Sequence, residues 1–184
     1  MVQAVVKKTA FFIFALFLAQ TAGCGYGSKS LLPPDIKAIH IAPVKNAIDL
    51  SGEVSDRRRF RVTRPGVEVD VTNAIINRFI FDGNLKVTSL EKADAVLEAK
   101  LIDYRRDALR YSDNDDIQEY RLSVVLDVVV TRAKGHKVLW RSQGFAGSTS
   151  FFLSGPHATS EDEAVVKTIE DVARRVVEQT IELW

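Results

Sequence analysis

Tyr120-Arg121-Leu122-Ser123-Val124-Val125-Leu126-Asp127-Val128-Val129-Val130-Thr131 is the stretch that decides the fold. Leu122, Val124, Leu126, Val128 and Val130 face one way while Arg121, Ser123, Asp127 and Thr131 face the other, because successive side chains of a strand alternate between faces. One face is bound for a core and the other for water, as in an antiparallel sheet covered on one side only. Downstream, Ala133-Lys134-Gly135-His136 supplies a hairpin loop with a glycine where positive φ is useful, and Val138-Leu139-Trp140-Arg141 returns as the next strand. Upstream, Ala95 to Tyr104 repeats the pattern, apolar at 95, 97, 99 and 101 and charged at 98, 100 and 103. Three consecutive antiparallel strands are predicted.

Two helices flank them. Val67 to Phe81 is apolar at 67, 71, 75 and 79, with Ala74, Ile76 and Ile80 widening the stripe, and it stops at Asp82-Gly83. Ser160-Glu161-Asp162-Glu163 is a capping box: Ser160 accepts from the Glu163 amide, and Glu163 reaches back to the amide of Ser160. Behind it Val165, Ile169, Val172, Val176 and Ile181, with Ala173 and Val177, share one helical face. Ile36 to Val44 is a first strand that ends at Pro43, and Leu85 to Thr88 a short second one. The order β-α-β-β-β-β-α predicts an α+β two-layer sandwich, a mostly antiparallel four- to five-stranded sheet with both helices on one face.

The connecting segments hold the candidate sites. Lys45 to Gly66 has no sustained period and carries Arg57, Arg58, Arg59, Arg61 and Arg64 around Phe60; Arg105, Arg106 and Arg110 precede the turn-rich Ser112–Asp116 and are expected close to a hairpin tip. Both groups read either as solvated surface or as anion sites, since the guanidinium fork matches phosphate oxygens. The aspartates at 113, 115 and 116 lack the glycine and distal glutamate of a calcium loop and read as a polar turn. Gly144 to Thr159 reads as a loop whose Phe151-Phe152-Leu153 is either a contact for a partner or membrane, or core. His40, His136 and His157 are scattered, and no nucleophile elbow, phosphate loop or paired metal spacing occurs, so no catalysis, cofactor or metal is expected.

The N-terminus is of another kind. Lys7 and Lys8 precede an apolar run, Phe11 to Ala19, too short to span a bilayer, and small residues follow: the layout of a signal peptide over residues 1–23. Ala22-Gly23-Cys24 resembles the bacterial lipobox, although Thr21 stands where that pattern usually has leucine. Acylation of Cys24, the only cysteine, would anchor the chain; ordinary secretory cleavage near Ala22 would leave a free thiol. Gly25 in place of aspartate favours the outer membrane. Residues 24–35 then form a lipidated tether, whose Gly25–Pro34 reaches at most ~35 Å, and 36–184 a single domain. Losing Lys7 and Lys8 lowers the 25 basic residues by two against 24 acidic, a near-neutral balance that excludes a broadly basic nucleic-acid binder.

Cys24-Gly25-Tyr26, the strand at 36–44, the helix at 67–81 with its exit Asp82-Gly83-Asn84-Leu85-Lys86-Val87, Ala93-Asp94-Ala95-Val96-Leu97 and Glu119-Tyr120-Arg121-Leu122 together resemble the lipopolysaccharide-assembly lipoproteins, the small subunits of the outer-membrane lipopolysaccharide translocon. The resemblance implies a two-helix, four-stranded domain on the periplasmic side of the bacterial outer membrane. It also implies that this domain plugs a β-barrel partner and helps deliver lipopolysaccharide. Only the lipid attachment at Cys24 carries over by residue. Arg57, Arg58, Arg59, Arg105, Arg106 and Arg110 are candidates for lipopolysaccharide phosphates on charge alone, and Phe151, Phe152 and Leu153 for partner contact. The alternative is a periplasm-facing lipoprotein adaptor of another envelope system, a lipid-transport auxiliary or an activator of cell-wall synthesis.

Overall fold

The computed structural model describes Pro33, residues 35–49, 59–61 and 64–182, with the backbone alone for 59–61. Cys24, Arg57 and Arg58, and with them the signal peptide and nearly all of the tether, lie outside the described residues.

The elements in chain order are β1 (Ala38–Ile41), β2 (Lys45–Asn46), β3 (Arg59–Arg61), α1 (Val67–Asp82), β4 (Lys86–Val87), a 3-10 turn at Leu90–Lys92, β5 (Ala95–Tyr111), β6 (Ile117–Arg132), β7 (Val138–Phe152) and α2 (Glu161–Glu182). All seven strands join one mixed sheet of order β4-β1-β5-β6-β7. β5, β6 and β7 are antiparallel, from Ala95 opposite Arg132 to Tyr111 opposite Ile117, and from Glu119 opposite Phe152 to Thr131 opposite Val138. On the other side of β5, β1 and β2 pair in parallel and β3 antiparallel. β4 is parallel to β1 because α1 crosses between them, which is what a parallel neighbour requires. The α+β sandwich therefore stands, with more strands than four or five and with parallel pairs at one side.

α1 packs on β1 and β4 and α2 on β6 and β7, and the two helices meet on the same face of the sheet. Arg64 pairs with Asp162 at 2.8 Å near the helix starts and Arg78 with Glu178 at 3.7 Å toward their ends, so the helices run side by side in one direction. Between them and the sheet lie Val71, Ile75 and Phe79 of α1, Val172 and Val176 of α2, and Leu97, Leu101, Leu122, Leu126 and Val130, all buried. α1 ends on Gly83 at φ 76°, whose amide donates to the Phe79 carbonyl. Ser160 caps α2 as expected, accepting from the Glu163 amide at 3.1 Å, while the Glu163 carboxylate takes Lys167 at 2.7 Å rather than turning back.

The strands differ from the sequence reading in several places. β1 spans Ala38–Ile41 rather than 36–44, because the ladder stops ahead of Pro43, and the aperiodic stretch after it contributes β2 and β3 as short partners of β5. β5 runs seven residues past Tyr104, so Arg105, Arg106 and Arg110 are strand residues and the turn is confined to Ser112–Asp116. A bulge at Ile102 shifts the alternation and carries Tyr104 into the core at 1% exposure. β7 extends through Phe152 where a loop was expected from Gly144. Its glycines and serines hid the alternation, and Gly147 is there because α2 comes so close that a Cβ would lie 2.5 Å from the Val172 nitrogen.

Candidate interaction site at the distal hairpin

β5 has 17 residues, about 55 Å of strand, and α2 has 22, about 33 Å of helix. The start of α2 is fixed against the sheet where Arg106 Nη1 donates to Glu161 Oε2 at 2.7 Å. Ala108, opposite Tyr120, and Phe151 on the far side of Tyr120 are the last buried level of the sheet, so Leu109 to Tyr111 of β5, their partners on β6 and the chain from Phe152 project past it by about 10 Å.

This overhang is apolar on its flanks and acidic at its tip. Leu109, Tyr111 and Leu153 are 39%, 40% and 50% exposed. Arg110 lies 5.5 Å over the Phe152 ring and 3.5 Å from Glu119. In the turn, Ser112 Oγ accepts from the Asp116 amide at 3.1 Å and the Ser112 amide donates to the Asp116 carbonyl at 2.8 Å, leaving Asp113, Asp115 and Asp116 at the rim.

The arginines of this region do not converge. Arg105, opposite Ser123, spans Asp103 at 2.6 Å and Asp107 at 3.2 Å on the sheet face away from the helices. Burial opposes its charge, but those two carboxylates prevail and hold its pKa above the ordinary arginine value. Arg106, its neighbour in the strand, faces the helices, held by Glu161 and lying 4.5 Å over the Tyr120 ring. Arg110 has the most open side chain of the three at 61%. Arg59 pairs in β3 opposite Asp107, on the same sheet.

The aromatic triplet divides. Phe151 is 3% exposed and belongs to the core, 5.9 Å from Tyr120; Phe152 is half-buried; Leu153 faces out. Leu109 and Tyr111 carry no local signal of a site: Asp107 and Ala108 are poor strand formers and four charged residues break the alternation, so only the pairing with β6 shows the strand reaching them. By sequence Glu161 is a helix-terminal acid, and no local signal ties it to Arg106, 55 residues away.

A second concavity runs between α1 and α2, an open cleft of about 780 Å³ with Ala74, Val165, Ile169 and Ala173 in its floor and Asp70, Arg78, Glu170 and Arg174 at its sides. Its charges are mixed: Arg78 pairs with Glu178, and Arg174 with Asp171 and Glu178. Burial raises the Asp171 carboxyl here, but hydrogen bonds from Arg174 and the Ser148 amide, with the Arg175 charge, bring it below the ordinary carboxylate value. Among the described residues no group of three His, Cys, Asp or Glu could hold a metal, and no helix is long and apolar enough to cross a membrane. His40 directs Nδ1 to the Thr88 carbonyl at 3.1 Å.

Compared with known proteins, residues 36–180 match the family model described as lipopolysaccharide-assembly. No curated protein matches the chain by sequence. Among solved structures, the hypothetical protein CT253 from Chlamydia trachomatis is similar at 12% identity over 79% of this chain and 95% of its own, with a TM-score of 0.50, a likeness of fold. Lipoprotein B from Nitrosomonas europaea matches at 16% identity over 83% and 85%, TM-score 0.49, and a minor lipoprotein from Acinetobacter baumannii at 11% over 80% and 94%, TM-score 0.49.

Proposed function

The chain belongs to the lipopolysaccharide-assembly family, and on that footing we propose that it is a non-catalytic lipoprotein subunit of the outer-membrane lipopolysaccharide translocon. In this reading Cys24 carries the acyl chains on the periplasmic side of the outer membrane, and the folded domain plugs a β-barrel partner and assists lipopolysaccharide assembly there. The observation that carries it is the family match, which spans nearly every described strand and helix.

The overhanging hairpin supports a protein partner at that end. It offers Leu109, Tyr111 and Leu153 beyond the cover of the helices, while the aspartates of its turn repel phosphate and suit a lumen with basic groups. Of Arg105, Arg106 and Arg110, Arg110 has the most open guanidinium and the longest ion pair, 3.5 Å to Glu119, and is the one best able to meet a lipid A phosphate; Arg105 and Arg106 hold their carboxylates at 2.6 and 2.7 Å.

Extraction of the tagged protein in mild detergent tests the reading. A barrel protein of the outer membrane should co-purify in fixed ratio, Leu109→Asp with Leu153→Asp should lower that yield while the domain stays folded, and depletion should lower surface lipopolysaccharide. A lipoprotein that runs alone and whose depletion leaves the surface unchanged refutes it.

A further inference from the structure

The end of the molecule opposite the hairpin also exposes apolar side chains. Ile80 is 63% and Phe81 80% exposed at the last turn of α1, Leu90 is 57% exposed in the 3-10 turn and Val138 44% at the start of β7. The sheet register puts these positions at one end. Lys86 is opposite Ala38, Ile39 opposite Ala95, Ala95 opposite Arg132 and Thr131 opposite Val138. Phe81 and Ile80 precede Lys86 by one tight turn through Gly83. α1 buries Val67, Val71, Ile75 and Phe79 on the sheet, so Ile80 and Phe81 are additional to its core stripe, and a helix apolar on a second side is normally covered there.

Cations surround these residues. Lys37, Lys86, Lys92, Lys134 and Lys137 are all exposed at this end and none has an ion pair among the described residues. The acids nearby are mostly engaged: Asp35 pairs with Arg132, Asp94 accepts from the amides of Lys37 and Ala38 at 3.0 Å each, and Asp82 accepts from Asn84. Glu91 is also exposed, between Leu90 and Lys92, so the five lysines with Arg132 face the four acids Asp35, Asp82, Glu91 and Asp94; the result is exposed apolar groups amid an excess of positive charge, a composition that suits an anionic lipid interface. This is also where the described chain begins, at Pro33, with only eight residues between it and Cys24.

We propose that this end is a membrane-docking foot: Ile80, Phe81, Leu90 and Val138 enter the interfacial region of an anionic phospholipid surface, and the lysines meet its headgroups. The contact is a property of the folded domain, so it does not rest on the anchor or barrel readings above.

The experiment therefore uses the mature chain with Cys24→Ser, which cannot be acylated. Sedimentation with vesicles of phosphatidylethanolamine and phosphatidylglycerol should show binding that weakens with salt and is lost on phosphatidylcholine alone. Ile80→Ser with Phe81→Ser should lower affinity about tenfold or more, and Lys86→Gln, Lys134→Gln and Lys137→Gln about fivefold each. Leu109→Ser with Leu153→Ser, at the far end, should leave it unchanged. A polarity-sensitive dye on Phe81→Cys should shift to the blue on vesicle addition and one on Leu153→Cys should not. No binding to anionic vesicles, as when a protein covers this end instead, or a shift at 153 without one at 81, overturns the proposal. Failure here with barrel co-purification intact would leave the translocon reading standing, and the reverse result would leave the foot standing without it.

Discussion

Replacing Gly147 by alanine tests the contact that joins the two layers. Alanine in place of a strand glycine ordinarily stabilises by about 0.4–1 kcal/mol, because the unfolded chain loses freedom. Here the new methyl would stand 2.5 Å from the Val172 nitrogen, 2.6 Å from its Cβ and 2.7 Å from its Cα. Backbone cannot swing aside as a long side chain can, so α2 has to retreat by about 0.9 Å to reach an ordinary contact distance. A gap of that size forfeits a quarter to a half of each dispersion contact across it. Val165, Val172, Val176 and Val177 all lie in that interface and are at most 1% exposed. Overpacking of this kind costs about 1–3 kcal/mol or more, so the sign reverses and the net expectation is a loss of about 2 kcal/mol. Urea unfolding of the unacylated mature chain, followed by far-ultraviolet circular dichroism, should show a lower midpoint at unchanged slope. The thermal midpoint should fall by about 4–8 °C for a chain of this size. A variant at or above the parent midpoint would mean that α2 does not rest on β7 in this way.

Other substitutions follow from the same packing. Phe151→Ala should cost about 3–4 kcal/mol, since Phe151 is core, whereas Leu153→Ala should change stability by less than about 0.5 kcal/mol; equal costs would contradict the division of the triplet. Arg106→Ser should destabilise by about 1 kcal/mol through loss of Glu161 and the Tyr120 face, and Arg110→Ser by much less, so thermal melts of the pair compared with Arg105→Ser separate structural arginines from the open one. Asp171→Asn should lower stability near neutral pH by about 1 kcal/mol. Because the folded carboxyl titrates below its ordinary value of 3.8, its contribution is present above that pH and fades as pH falls through the lower folded value, so the gap between variant and parent should close in acid. A gap independent of pH would place the effect elsewhere.

Much of this protein was legible in its residue order because burial imposes a period on local sequence. The alternation from Leu122 to Val130, the stripe Val67-Val71-Ile75-Phe79 and the capped run from Ser160 each repeat at the spacing of the element they form, and each lies where that spacing puts it. Positive charge and arginine content were equally visible, but not what each arginine faces. Arg106 meets a carboxylate from another element, while Arg105 is bracketed two residues away on either side, a pairing that exists only because the strand continues past Tyr104.

Residue order by itself thus determined the helices, the central antiparallel strands and the two-layer class, since these follow from which side of a local segment avoids water. Tertiary structure alone decided the length of β7, the parallel pairing around β1, the split of Phe151 from Leu153 and the exposure of Ile80 and Phe81. Those depend on where a distant element comes to rest. Gly147 is a weak strand former until α2 needs its missing side chain, and Phe81 is one more apolar residue of a helix until the fold leaves it facing out.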